Sequence, residues 1–183
     1  MQFYDYFTLS PASPSGLIWN TRPREHFNRD ASWRHFNNQK ASKSAGYQSS
    51  DTHGYLAWKV ELDSKVYVVA RIIWVLLHGE IPSSAIVEHK NNDALDNSHD
   101  NLRLASRSQN KMNESLRKDK RSGFKGVTKR GKKWAARMGC GGSIVLGTFD
   151  APEEAHAAYC AAAQDRYGNF YSDGVSSRLV IRN

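Results

Sequence analysis

Residues 85–113 read AIVEHKNNDALDNSHDNLRLASRSQNKMN, and the reading of this stretch decides the fold. Ala85-Ile86-Val87 is a short apolar run, a strand that ends on Glu88-His89. Asn91 to Asn101 is dense in Asn and Asp, whose side chains bond their own backbone and favour turns. Leu102-Arg103-Leu104 returns as a second strand. Ser106 is suited to cap a helix running to about Ser115, with Asn110 in its first two turns. Neighbouring strand residues point apart, but at a strand end the backbone can turn and aim Glu88 and His89 into one cleft. A strand–strand–helix unit can then gather Glu88, His89, Asn101 and Asn110 around one cation.

Those residue types suit phosphodiester hydrolysis. A neutral imidazole supplies a base for water near neutral pH. An Asn oxygen can hold that ring in one tautomer. Glu and Asn oxygens suit a hard cation that keeps several of its waters. On the residues alone, an ordinary surface His–Glu pair beside a run of turns stays open as the alternative. An EF-hand loop is disfavoured, because the D-x-[DN]-x-[DN]-G pattern is missing.

Upstream, Tyr55 to Leu62 and Val66 to Val69 read as a hairpin turning at Asp63-Ser64. Ala70 to His78 is apolar at helical spacing and stops at Gly79. Residues 1–50 are poorly patterned. Leu17-Ile18-Trp19 reads as a short strand, and Arg22 to Ser50 as an extended segment that needs a partner surface. Downstream, Phe124–Thr128, Trp134–Met138 and Ile144–Phe149 read as three strands, turning at Arg130-Gly131-Lys132 and over residues 139–142. Asp150 and Glu153 resemble a capping box opening an Ala-rich helix, Pro152 to Tyr167, that stops at Gly168.

The chain has 183 residues with 26 Lys+Arg against 18 Asp+Glu, a formal charge of +8. That excess lies in one window. Residues 1–110 carry 12 basic and 11 acidic side chains, residues 111–137 carry 11 and 2, and residues 138–183 carry 3 and 5. A basic run interleaved with Trp and Gly points to nucleic acid. The longest apolar run, Val66 to Leu77, is interrupted by Arg71 and is far short of the roughly 20 residues that cross a bilayer. Residues 1–8 carry Asp5 and no basic leader, so no signal peptide is expected. Cys140 and Cys160 are too few for a disulfide framework or a four-cysteine zinc site. The chain is therefore expected to be soluble and intracellular, without a membrane.

The pattern Arg71-Ile-Ile-Trp, His78-Gly-Glu-Ile-Pro82, Val87-Glu-His89, Asp96-Asn97, Asn101-Leu-Arg103 and Gln109-Asn110 resembles the HNH endonuclease motif, in the homing-endonuclease type common in phage genomes. The resemblance covers roughly residues 54–113. It implies a ββα-metal fold that hydrolyses DNA with one divalent cation per chain, Mg²⁺ or Mn²⁺. Carried over by position, Glu88 and Asn110 are metal ligands, His89 is the general base and Asn101 orients His89. Glu88 stands where the family usually has Asp, and Asn110 stands where His is common. His99 and Asn113 read as loop and helix-face residues, and His78 as structural.

Gly123-Phe-Lys-Gly-Val127, Trp134-Ala-Ala136, Leu146-Gly-Thr-Phe149 and Glu153-Glu-Ala155 with Ala158-Tyr159 and Ala162 resemble the Apetala/ethylene-response-factor DNA-binding domain. The resemblance implies a three-stranded sheet lying in the DNA major groove, backed by a helix. By position, its DNA-binding residues are Lys125, Thr128, Lys129, Arg130, Lys133, Trp134 and Arg137, reaching phosphates or guanine edges. Thr128, Ser143 and Val145 stand where that family has further Arg and Trp contacts, so phosphate contact is expected to dominate. Ala155, Ala158, Ala161 and Ala162 are expected to pack on the sheet.

The expected architecture is α+β, a ββα-metal (HNH) nuclease core followed by a small βββα DNA-binding domain. Its boundaries are 1–53 for an extension packed on the core, 54–116 for the nuclease domain, 117–122 for a basic linker and 123–183 for the DNA-binding domain. Arg22, Arg24, Arg29 and Arg34 are expected to add DNA contact. The expected activity is metal-dependent cleavage of double-stranded DNA at a preferred site, by nicking, with no small-molecule cofactor. The expected state is a monomer or weak dimer in the cytoplasm, the host's if the chain is phage-encoded. The competing reading is a non-cleaving, sequence-preferring DNA-binding regulator on a nuclease scaffold.

Overall fold

The computed structural model describes residues 3–52, 54–116, 122–139 and 144–174. Residues 117–121 of the expected linker, and Cys140, Gly141, Gly142 and Ser143 beside the expected hairpin tip, lie outside the described residues. Among the described residues the fold is mixed α+β, with several small sheets and four α-helices. None of these helices is long and apolar enough to cross a membrane. The chain divides into two compact units, residues 1–89 with 93–104, and residues 90–92 with 105–183.

The first unit opens with an antiparallel ribbon of β1 (Phe7–Leu9) and β2 (Leu17–Trp19), with Phe7 opposite Trp19. Helix α1 follows (Asp30–Gln39), then a three-stranded antiparallel sheet of β3 (Tyr47–Ser50), β4 (Leu56–Leu62) and β5 (Lys65–Val68). The β4–β5 turn places Asp63 and Ser64 at φ 50° and 62°, the left-handed region that short polar residues tolerate. Helix α2 (Val69–His78) ends at Gly79, whose φ of 83° is open to glycine. Strands β6 (Ile86–His89) and β7 (Leu102–Ala105) then pair. One core joins all of this. Phe7, Leu17, Trp19, Phe36 and Ala45 pack with Val60, Leu62, Val69, Ile72, Ile73 and Leu102.

Helix α1 corrects the extended reading of residues 22–50. Its apolar stripe is short: Phe36 is its one buried residue. Polar bonds complete the docking. Trp33 Nε1 and Asn37 Nδ2 both donate to the Arg22 carbonyl at 2.9 Å, and Arg22 N donates to Asn37 Oδ1 at 2.9 Å. Arg22 itself is not a DNA contact. It is 7% exposed, and its guanidinium lies 4.9, 4.7 and 5.3 Å from the ring centres of Tyr6, Phe27 and Phe36. Its Nη2 is 3.4 Å from Asp63 Oδ1. Arg24 bonds Asp30 and the Phe27 carbonyl. Arg29 and Arg34 are exposed.

The second unit starts with α3 (Arg107–Asn113), opened by a capping box in which Ser106 Oγ accepts from Gln109 N and Gln109 Oε1 accepts from Ser106 N. A three-stranded antiparallel sheet follows, of β8 (Val127–Arg130), β9 (Lys133–Met138) and β10 (Ile144–Phe149), with β9 central. Helix α4 (Pro152–Tyr167) covers one face, burying Ala155, Tyr159 and Ala163 at a spacing of four against Val127, Ala136 and Met138. Ala161, expected among the packing alanines, is exposed, and Ala163 takes that place. The expected Asp150 cap is also corrected. Ala151 holds the N-cap position without a side-chain bond, and Asp150 pairs with Lys133 Nζ at 3.1 Å. Strand β8 begins at Val127, three residues later than expected, because Gly126 turns at φ 73° directly under the Tyr159 ring.

The expected boundary at 116/117 also differs from the observed division, which puts α3 with the C-terminal sheet. The cause is local packing. Met112 is buried, its carbonyl accepts from Ser172 N at 3.2 Å, and Lys125 Nζ reaches the carbonyls of Met112 and Glu114 at 2.5 and 2.7 Å.

Candidate active site

Strand β6 carries Glu88 and His89 at its C-terminal end, and the loop to β7 folds back over that end. The loop holds itself by short-range bonds. Asp93 Oδ1 accepts from Leu95 N at 2.9 Å and Asp96 Oδ1 accepts from Ser98 N at 3.1 Å, two local turns of the type Asp favours. A 3₁₀ turn over His99–Asn101 leads into β7. Asn101, 8% exposed, donates from Nδ2 to the Asp96 carbonyl at 2.7 Å. That bond ties the two ends of the loop's last turn.

Glu88 is 4% exposed. Its Oε1 accepts from Arg103 Nε at 2.5 Å, across the β6–β7 pair. The guanidinium balances a carboxylate charge that burial would otherwise make costly. Its Oε2 is buried and, among the described residues, has no hydrogen-bond partner. A buried carboxylate oxygen without a partner is rare and calls for an explanation. It is a hard oxygen donor, the kind Mg²⁺ takes one or two of while retaining waters. Among the described residues no three His, Cys, Asp or Glu side chains gather as a metal cage. A site of one carboxylate, one amide oxygen and waters needs no such cage, and the Glu88 carboxylate has the chemistry of one such donor.

His89 is half-buried, and its Nε2 lies 3.0 Å from Asn97 Oδ1. The motif gives Asn97 no role, yet its amide oxygen meets the His89 ring in this structure. Asn110 sits on α3, half-buried, in the second unit, with its backbone in the helix ladder between Ser106 O and Glu114 N. His78 lies tilted against Trp74 and stacks on His99, with ring centres 4.2 and 5.4 Å apart.

In the second unit, register sorts the expected DNA-binding residues onto two faces. Directly opposed residues share a face of a sheet. Val127 pairs with Ala136 and Lys129 with Trp134, so Lys129 and Trp134 lie on the α4 side, where Lys129 Nζ is 5.4 Å from the Trp134 ring centre. Thr128 pairs with Ala135, Arg130 with Lys133 and Arg137 with Val145, so Thr128, Arg130, Lys133 and Arg137 share the face away from α4. Lys125 precedes β8 and is engaged elsewhere in this structure. Its ammonium is bonded to the carbonyls of Met112, Glu114 and Ser172, and burial lowers its pKa to about 8.

Residues 67–112 match the family model described as HNH endonuclease. The matched stretch runs from β5 through α3 and contains Glu88, His89, Asn97, Asn101, Arg103 and Asn110. It spans about a quarter of the chain. This supports a nuclease, with DNA as the substrate such a domain implies. No curated protein and no solved structure matches the chain.

Proposed function

We propose that this chain is a metal-dependent DNA endonuclease of the homing type, hydrolysing phosphodiester bonds at a preferred site by nicking. The observation that supports it most is the HNH endonuclease match over residues 67–112, which brackets the buried Glu88 carboxylate and the His89 ring beside it. In this reading β6, β7 and α3 supply, in chain order, the two strands and the helix of a ββα-metal motif. His89 takes the proton from the attacking water, Asn101 orients His89, and Glu88 and Asn110 hold one Mg²⁺ or Mn²⁺. The bound cation supplies positive charge for the scissile phosphate and the leaving oxygen. The C-terminal sheet acts as the tether. Thr128, Arg130, Lys133 and Arg137 lie on DNA and make mainly phosphate contacts, which position the enzyme with little base readout.

Relaxation of supercoiled plasmid carrying the target tests the reading. Wild type nicks with Mg²⁺ and is silent in EDTA, and His89→Ala loses about 100-fold or more in rate, the scale of a missing general base. Absence of Mg²⁺-dependent nicking by wild type would refute the nuclease assignment. Equal cutting by His89→Ala would refute the base assignment alone.

A further inference from the structure

The contact between His89 and Asn97 fixes more than a ring position. Asn97 is 7% exposed, and its two amide ends meet groups of opposite demand. Its Nδ2 donates to the Ser15 carbonyl at 3.0 Å. A carbonyl only accepts, so the NH₂ end must face Ser15 and the oxygen end must face His89. Oδ1 then lies 3.0 Å from His89 Nε2 and can only accept there. The proton of the neutral ring therefore sits on Nε2, and the basic lone pair sits on Nδ1.

The Ser15 carbonyl is itself held by a buried serine knot. Ser15 is fully buried, and its Oγ donates to the Ala45 carbonyl at 2.6 Å. Ser13 Oγ lies 2.6 Å from the Leu17 carbonyl and 2.7 Å from Ser44 Oγ. Between them Gly16 sits at φ 87°, where a Cβ would come 2.8 Å from Ile73 Cδ1 and 3.7 Å from Asn97 Cβ. These contacts tie the loop over residues 13–17 to β2 and to residues 44–45, and the loop presents the Ser15 carbonyl to Asn97.

We propose that Asn97 is a further positioning residue for His89, holding it as the Nε2–H tautomer with Nδ1 as the base, and that the N-terminal loop of Ser13 to Leu17 positions Asn97. This rests on the nuclease reading of β6 and β7. It gives residues 1–53 a role in the chemistry beyond covering the core. Asn97 then acts on the ring beside Asn101, through Nε2.

Long-range ¹H–¹⁵N spectra of the full chain with ¹⁵N-labelled histidine, under mildly alkaline conditions, read the tautomer directly, with His89→Ala identifying the signal. Wild type is expected to show His89 as the Nε2–H form. Asn97→Ala is expected to give a mixture of tautomers on an unanchored ring and to lower kcat for nicking roughly 100-fold with KM little changed, because a base out of line as well as in the wrong tautomer is lost to the chemical step and not to binding. Asn97→Asp keeps an acceptor for Nε2–H and is expected to retain the tautomer and more of the rate than Asn97→Ala. A wild-type ring found as Nδ1–H overturns the proposal, as does Asn97→Ala with the wild-type tautomer, or Asn97→Ala and Asn97→Asp behaving alike. A wild type that shows the Nε2–H form but never nicks DNA refutes the nuclease reading instead.

Discussion

The Lys125 ammonium reaches three carbonyl oxygens, of Met112, Glu114 and Ser172, at 2.5, 2.7 and 3.0 Å. In the sequence it is one more lysine in a basic run. In the fold it closes the C-terminal end of α3, where unpaired carbonyls collect. Burial is the largest influence on it and lowers its pKa from 10.5 to about 8. The sign of the linkage follows. Between about pH 8 and pH 10.5 the folded chain binds fewer protons at this site than the unfolded chain, so its contribution to stability rises with pH across that window. Below that window the cost of burying the charge is fully present. Urea unfolding of wild type and Lys125→Met across this range is expected to show wild type gaining on the variant as pH rises. Parallel curves would mean that Lys125 titrates as it does in the unfolded chain. Arg22 makes the same point without titration. A cation that charge counting assigns to DNA is enclosed by Tyr6, Phe27 and Phe36, where ring faces attract it.

At the scale of elements, alternation along β8 and β9 decides which basic side chains face outward together. Arg130, Lys133 and Arg137 share the face away from α4, while Lys129 pairs with Trp134 on the other. Changing Arg130, Lys133 and Arg137 together to Ala is expected to weaken DNA binding and to reduce the slope of log K against log salt by about 0.9 for each phosphate no longer neutralised. Lys129→Ala is expected to leave that slope nearly unchanged. Fluorescence anisotropy with a labelled duplex over a salt series checks both, and a triple variant with the wild-type slope would show that this face is not the tether. The strands and helices themselves were largely legible: β2, β4, β5, β6, β7 and α4 fall close to where periodicity and turn residues put them. Helix α1 was not, because a single buried residue, Phe36, gives almost no periodic signal, and its docking depends on Asn37 and Trp33 meeting a backbone 11 to 15 residues away.

For the whole molecule, the N-terminal residues are part of the first unit's core. Phe7, Leu17, Trp19, Phe36 and Ala45 pack with residues of β4, α2 and β7. Removing one large core side chain costs about 2–5 kcal/mol, and a domain's whole stability is about 5–15 kcal/mol. Deletion of residues 1–45 is therefore expected to abolish cooperative folding of this unit, leaving no thermal transition for it by tryptophan fluorescence and circular dichroism. A truncated chain melting within a few degrees of the full one would contradict the shared core. The sequence by itself determined the chemistry on offer. Glu88, His89, Asn101 and Asn110 lie at spacings that local structure converts into strand end, loop and helix, because strand alternation, Asx turns and caps act over a few residues. Only the tertiary structure decided which groups meet. Asn97 met His89 because Ser15, 82 residues earlier, fixed the direction of its amide. Lys125 and Arg22 read as DNA-facing cations in the sequence, and the fold gave them protein partners. Such choices depend on contacts between distant segments, and no local pattern of residues encodes them.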